Sequence, residues 1–171
     1  MRQAGTLADQ RSRGRPAQGL LTAVALLCAA ALAAALVSQH VFGMQPCPWC
    51  VLQRLVFTLI GLVAAAGAAW PQPAVARAVA AGVVPLALAG FAAALWQHFV
   101  AASSASCDLT LADRLMSALG LDMALPEVFA AFASCADAKV NLIGVPYEFW
   151  SLGLSLVLAG LAVFAWRRAG H

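Results

Sequence analysis

The chain has 171 residues, of which 63% are hydrophobic and only 10% are charged. Soluble domains carry about 25% charged residues, so this composition excludes an ordinary water-soluble fold. The formal net charge is only +3, and we expect the lipid bilayer, rather than nucleic acid, to be the surrounding partner.

Four apolar segments each have about the ~20 residues that a helix needs to cross a bilayer. The first segment could be read as a signal peptide, but its length suits a full span and three more spans follow. We therefore predict an all-α integral membrane protein, a four-helix bundle in a single domain over residues 19–171. The spans are expected near residues 19–38, 51–70, 78–96 and 149–166.

The arginines predict the orientation of the bundle. We expect residues 1–18 to be a basic, disordered tail on the same side as the second connection and the C-terminus. The positive-inside rule assigns this side to the cytoplasm, so both termini are cytoplasmic and the loops near residues 39–50 and 97–148 face outward. In a bacterial inner membrane these loops are periplasmic. The basic residues on the inner side are Arg2, Arg11, Arg13, Arg15, Arg77, Arg167 and Arg168.

The short outer loop leads into the second span through MQPCPWCVLQR, residues 44–54. Cys47 and Cys50 have the Cys-x-x-Cys spacing of redox-active dithiols. A structural disulfide or half of a metal site would also use two cysteines. However, a disulfide that closes so short a loop adds little stability, and the other outer cysteines are not spaced as a second Cys-x-x-Cys. The spacing favours redox chemistry, and we expect no bound metal.

The position of Cys50 suggests why Arg54 follows it. Pro46 and Pro48 should keep the helix from beginning before Cys50, which places Cys50 in the first turn, where the helix dipole favours a thiolate. Arg54 lies one turn deeper on the same face. Because an arginine at that depth is unfavourable without an anion or polar ligand, we expect it to face the thiolate and a polar cofactor head group. The alternative is that Arg54 extends to the interface.

The long outer loop contains DLTLADRLMSALG, residues 108–120. Its leucines and Met116 fall on one helical face, with Asp108 or Thr110 as a candidate N-cap and Gly120 as the stop. We predict a short amphipathic helix here. It either lies along the membrane interface or packs on the outer end of the bundle.

The remaining cysteines divide into two groups. Cys28 lies inside the first span and is most simply a small apolar residue. Cys107 and Cys135 lie in the long outer loop, where an oxidising compartment leads us to expect paired or catalytic cysteines. The sequence has no nucleotide-binding fingerprint, no Cys-x-x-Cys-His and no pair of histidines within a span. A lipid-soluble quinone is therefore the simplest electron acceptor.

Together these features resemble the disulfide bond formation protein B (DsbB) family, the quinone-dependent thiol oxidases of the bacterial inner membrane. The resemblance covers the four spans, the Cys-x-x-Cys with arginine four residues later, the two loop cysteines, and SCADAKVNLIGVPYEFWSLGLSL before the last span. It implies a protein-disulfide oxidoreductase that reoxidises a periplasmic DsbA-like thioredoxin-fold oxidase. The electrons would pass to ubiquinone or menaquinone.

The resemblance also implies roles for individual residues. Cys47 and Cys50 match the disulfide that quinone oxidises, with Cys50 in contact with the quinone. Cys107 and Cys135 match the disulfide that exchanges with the partner protein.

Two further residues match the quinone site of the family, Arg54 and Gln97. Some members have a histidine four residues before that glutamine, where this chain has Ala93. The role of that histidine therefore does not carry over, and we expect His98 to be an interfacial residue.

Two other functions remain compatible with four spans and outer cysteines. A vitamin K epoxide reductase-like enzyme also combines a helical bundle, Cys-x-x-Cys and quinone, but its active pair would be expected near a late span. A membrane protein that binds metal through thiolates, without catalysis, is the alternative outside redox chemistry.

Overall fold

The computed structural model describes residues 2–70, 72–103, 110–138 and 140–170, with side chains from residue 16 onward except that of Ser103. Cys107 lies outside these ranges. The elements follow in the order α1 (Arg2–His40), α2 (Pro48–Ala69), α3 (Pro73–Phe99), a 3₁₀ turn (Ala101–Ser103), α4 (Leu111–Leu119), α5 (Leu121–Ala124), α6 (Pro126–Phe129), β1 (Asn141–Leu142), β2 (Val145–Pro146) and α7 (Tyr147–Arg168).

Helices α1, α2, α3 and α7 form the four-helix bundle, as predicted. Each contains a stretch long and apolar enough to cross a membrane. The chain is a multi-pass membrane protein of all-α class. Within the described residues, these stretches are Pro16–His40, Pro48–Ala69, Pro73–Phe99 and Tyr147–Arg168.

Two helix starts differ from the sequence expectations. Helix α1 begins at Arg2, so the basic segment that we expected to be disordered is helical and continuous with the first span. Its alanine, leucine, glutamine and arginine residues all favour helix. Helix α2 begins at Pro48, two residues before Cys50. Proline is well suited to the first helical position because its fixed φ is already helical. An N–H group at this position would have no acceptor within the helix, so its absence costs no hydrogen bond.

The centre of the bundle is packed with apolar side chains from all four long helices. Val24 and Cys28 of α1, Ile60 of α2, Val83 of α3 and Leu158 of α7 are fully buried in one cluster. Cys28 is thus a core residue. Small residues allow this close packing of helices.

One close approach, between α2 and α3, depends on a glycine. A Cβ placed on Gly67 would lie 2.9 Å from the Val79 methyl groups. This part of the bundle therefore accepts no side chain larger than a hydrogen at position 67 without movement of Val79.

The predicted amphipathic helix of the long loop is α4. Thr110 and Asp113 cap its start reciprocally, and Gly120 ends it with a φ of 65°. Met116 is buried in a cluster with Val51 of α2, so the helix packs on the bundle. Three leucines on the same helix are exposed, and they are available to the membrane interface as well: Leu111, Leu115 and Leu119.

The long loop is tied to the short outer loop by backbone hydrogen bonds. The N–H groups of Phe132 and Ala133 donate to the carbonyl of Pro46 over 3.0 Å and 3.3 Å. The hairpin formed by β1 and β2 then leads directly into α7. These connections hold the loop residues around 130–135 beside the start of α2.

Candidate functional site

The two cysteines of the Cys-x-x-Cys lie at the start of α2. Cys47 is the N-cap residue, and its sulfur accepts a hydrogen bond from the Cys50 N–H over 3.4 Å. The two sulfur atoms are 2.8 Å apart, which is longer than the roughly 2.05 Å of a disulfide bond. Both residues are free thiols here. The Cys47–Cys50 disulfide therefore stays a prediction.

Cys135 joins this pair from the long loop. It is buried in the same cluster as Cys47, and the two thiols influence each other's acidity. Three of the four cysteines expected to be catalytic are therefore in one place. The fourth, Cys107, lies outside the described residues, as does its predicted disulfide with Cys135.

The contact between Cys47 and Cys135 shifts the pKa values of these two cysteines in opposite directions. Hydrogen bonds to Cys135 and then to Cys50, together with burial, raise the pKa of Cys47. The hydrogen bond from Cys47 lowers the pKa of Cys135, the backbone of Trp49 lowers it further, and burial opposes both. In the reduced protein Cys47 therefore holds its proton, and Cys135 is the more readily ionised partner.

Gln97 contacts Cys50 directly. Its Nε2 donates to the Cys50 sulfur over 3.2 Å, and its Oε1 accepts from Gln53 Nε2 over 2.7 Å. Both glutamines are buried. Because Gln53 occupies the oxygen of the Gln97 amide, the amide presents its N–H to the sulfur, where it stabilises negative charge.

Arg54 is buried one turn below Cys50, with 7% of its surface exposed. Its Nη1 donates to Gln39 Oε1 over 2.6 Å and to the Val128 carbonyl over 3.1 Å. Its Nη2 is 3.4 Å from the Ala35 carbonyl. Arg54 thus does not extend into solvent. It joins α1 and α2 to the α6 segment of the outer loop.

A cavity of about 240 Å³ lies beside Cys50, between the outer ends of α1, α2 and α7. Its wall is mainly apolar, with side chains such as Leu32, Phe57 and Leu154. A mostly apolar cavity with a few convergent polar groups is typical of a small-molecule site. Its polar and ionisable lining residues include Cys50, Gln53, Arg54, Gln97, Tyr147 and Glu148.

The structure thus brings together Cys47, Cys50 and Cys135 at one end of this cavity, with Arg54 and Gln97 in its wall. The sequence reasoning missed three residues of the site. Gln39, Gln53 and Glu148 are all buried polar residues within spans. Their placement in apolar segments was the available signal, because polar groups inside a membrane protein usually face a partner or a site.

Comparison with known proteins places the chain in one family. The model of the family described as disulfide bond formation protein DsbB matches residues 17–165. Disulfide bond formation protein B of Nitrosospira multiformis is 31% identical over 153 residues, 88% of this chain and 91% of that protein. The protein of that name from Aromatoleum aromaticum is 35% identical over 143 residues, 81% of this chain and 84% of that protein.

A third relative is disulfide bond formation protein B 1 of Pseudomonas aeruginosa. It is 33% identical over 147 residues, which cover 84% of this chain and 90% of that protein. The match of the family model extends over both outer loops and nearly all of the four spans. The chain therefore belongs to the DsbB family of disulfide bond formation proteins, and it is an oxidoreductase that forms disulfide bonds.

Proposed function

We propose that the protein is a quinone-dependent protein dithiol oxidase. It reoxidises a periplasmic DsbA-like thioredoxin-fold protein and passes the electrons to ubiquinone or menaquinone in the membrane. One observation carries this proposal. Cys47 lies between Cys135 and Cys50, and Cys50 lines a mainly apolar cavity within the bundle. These three cysteines provide a path for electrons from the outer loop to the interior of the membrane.

The first steps are thiol–disulfide exchange. A thiolate of the reduced partner attacks Cys107 of the Cys107–Cys135 disulfide, forming a mixed disulfide and releasing Cys135 as a thiolate. A hydrogen bond from the backbone of Trp49 stabilises Cys135 as the leaving thiolate in this step. The partner's second thiol then displaces Cys107, and the partner departs oxidised.

The next exchange transfers the electrons between the loops. The Cys135 thiolate attacks Cys47, the sulfur with which it is in contact, and the Cys47–Cys50 bond breaks. Cys50 is released as a thiolate, which the side-chain N–H of Gln97 stabilises. When Cys107 then attacks Cys135, the Cys107–Cys135 disulfide re-forms and Cys47 is released as a thiol.

The residues around the cavity fit a quinone. Its planar ring is largely apolar, as is the wall formed by Phe57, Leu32 and Leu154, and its carbonyl oxygens need donors. Gln97 and Arg54 are the donors that would hold it beside Cys50. A bound quinone supplies an acceptor for two electrons and two protons. The Cys47–Cys50 pair gives up those electrons as its disulfide re-forms.

The proposed function requires one orientation of the protein in the membrane, with the cysteine-bearing loops in the periplasm. The arginine distribution supports a bacterial inner membrane location with both termini in the cytoplasm. Reporter fusions after Trp70 and at the C-terminus should therefore read cytoplasmic, and a fusion near Ser104 should read periplasmic. The inverse pattern would place the cysteines in a reducing compartment and contradict the proposal.

The decisive experiment combines the purified protein, a reduced thioredoxin-fold substrate and quinone, with quinone absorbance followed over time. We expect one quinone reduced for each dithiol oxidised. Stoichiometric zinc or copper in the purified protein, without quinone reduction, would instead indicate a thiolate metal-binding protein.

A further inference from the structure

Glu148 and His98 form a pair that connects the cavity to the outside. Glu148 lies in the first turn of α7, lines the cavity, and has only 8% of its side chain exposed. Its Oε1 is 3.1 Å from Nδ1 of His98 on α3. The His98 side chain is 31% exposed and packs edge-on against Phe149. One end of this pair thus faces the cavity, and the other end is partly exposed in the last turn of α3.

The proposed chemistry leaves the cavity one proton short. Oxidation of two thiols to a disulfide yields two electrons and two protons in total. If Cys50 reacts as a thiolate, its proton has already gone to water. The S–H bond of Cys47 supplies one proton, so the second must return to the cavity from outside.

The other ionisable groups in the described part of the cavity wall are poorly suited to return it. Cys50 has lost its proton, and Arg54 stays charged at any physiological pH. Tyr147 is a phenol, a class of acid that holds its proton tightly near neutral pH. Helix α1 contributes Ser38 to this part of the wall but no ionisable group. Glu148 is the remaining acid, and His98 faces it from α3.

We propose that Glu148 and His98 are a proton relay that supplies the second proton to the cavity. Glu148 donates a proton from its carboxyl oxygen to the bound electron acceptor. His98 then passes a proton from Nδ1 to Glu148, and its Nε2 takes one from water. The net reaction is the oxidation of two thiols and the uptake of two electrons and two protons by the acceptor. This inference rests on the proposed quinone reaction.

The test compares Glu148→Gln with the matched control Glu127→Gln in the full-length protein. Glu127 also lies near a histidine, 3.8 Å from His40, but both side chains are exposed and Glu127 does not line the cavity. Loss of a general acid typically lowers rates by about 10²–10⁴-fold. We expect Glu148→Gln to lower kcat for quinone reduction at pH 7 by at least about tenfold.

The separate effects of Glu148→Gln on kcat, on KM and on their pH dependence distinguish a proton relay from a structural contact. The KM for quinone should change by less than about twofold, and the loss in kcat should shrink at lower pH or when small carboxylic acids are added. His98→Gln should show the same dependence on pH. Glu127→Gln should match the wild-type protein. A Glu148→Gln variant with unchanged kcat at every pH, or with only a raised KM, would overturn the relay.

Two measurements without quinone separate this inference from the proposed function. Disulfide exchange between the reduced partner and the oxidised protein should be unaffected in Glu148→Gln. The ¹⁵N NMR signal of His98 Nδ1 should change in Glu148→Gln and not in Glu127→Gln. Absence of that change would refute the pairing itself. If wild-type protein reduces no quinone at all, the proposed function fails instead.

Discussion

Cys47 at the N-cap of α2 is buried in one cluster with Cys135 of the long outer loop. This contact joins the cysteine pair at the membrane surface to a cysteine that the sequence places in a separate loop. It also sets the two thiols apart in acidity, because it raises the pKa of Cys47 and lowers that of Cys135.

The reduced protein should therefore show two distinct alkylation profiles. Because the pKa of Cys135 is lowered, its thiolate forms at a lower pH than that of an ordinary cysteine, and it should react before Cys47 as the pH rises. The pKa of Cys47 is raised, so it should react last. Cys47→Ala removes the donor and should move the Cys135 profile to higher pH. Mass spectrometry of peptides alkylated across a pH series measures both profiles.

Both buried glutamines should increase the reactivity of the Cys50 thiol. Gln97, which contacts the sulfur, should have a larger effect than Gln53, which contacts Gln97. Gln97→Leu removes the N–H donor to the sulfur, so Cys50 should be alkylated more slowly at pH 7. Gln53→Leu leaves the Gln97 oxygen without its donor, which costs about 1–3 kcal/mol of stability, and should slow Cys50 alkylation to a smaller degree. Gln72→Leu, at an exposed glutamine, is the control. Equal Cys50 reactivity in all four proteins would show that the amides do not act on the sulfur.

Substitution of Arg54 should affect both the cavity and the outer loop. Arg54→Met keeps the aliphatic stem but leaves Gln39 and the Val128 carbonyl without their donor. We expect a raised KM for quinone and faster amide hydrogen exchange in α6. Arg54→Lys should restore part of the charge effect but lose the planar set of donors. Quinone kinetics and hydrogen exchange on the three proteins measure both effects.

An unchanged KM in Arg54→Met, with only α6 loosened, would reduce Arg54 to a tether for the loop. An unchanged α6 with a raised KM would assign it to the cavity alone.

The cysteines should divide by function. Cys135→Ser or Cys107→Ser should abolish turnover with the partner protein but leave the Cys47–Cys50 pair oxidisable by quinone. Cys28→Ser should retain activity, since Cys28 lies in the core of the bundle. Turnover assays and thiol titration on each variant test this division. An inactive but folded Cys28→Ser protein would contradict the two-pair scheme.

Much of the fold follows from local pattern. Twenty-residue apolar runs predict the four spans, and the residues around Thr110 and Gly120 predict α4, because caps and helical periodicity act within a few residues. The first-turn position of Cys50 was also predictable, although the proline reasoning behind it was wrong about where α2 begins: Pro48 starts the helix.

The arrangement of the site was less predictable. The Cys47–Cys135 contact depends on the path of an irregular loop, which no periodicity encodes. The same holds for the pairing of Gln39 with Arg54 and of Glu148 with His98, since these residues are far apart in sequence and meet only when the helices pack. Spacing and position in the sequence singled out the cysteines and Arg54, and the resemblance to a family added Gln97. It gave no indication of Gln53 or Glu148.

The Pro46 carbonyl accepts hydrogen bonds from the N–H groups of Phe132 and Ala133. All three groups belong to the backbone, so side-chain substitutions around Cys135 leave this attachment in place. The outer surface of the loop is therefore free to vary in sequence, and to suit partner proteins of different shape, while the spacing between the sulfur atoms is kept. Only proline at position 132 or 133 would remove one of the donors directly. Under the proposed function, selection for new partners and selection for electron transfer could thus proceed separately in one short segment.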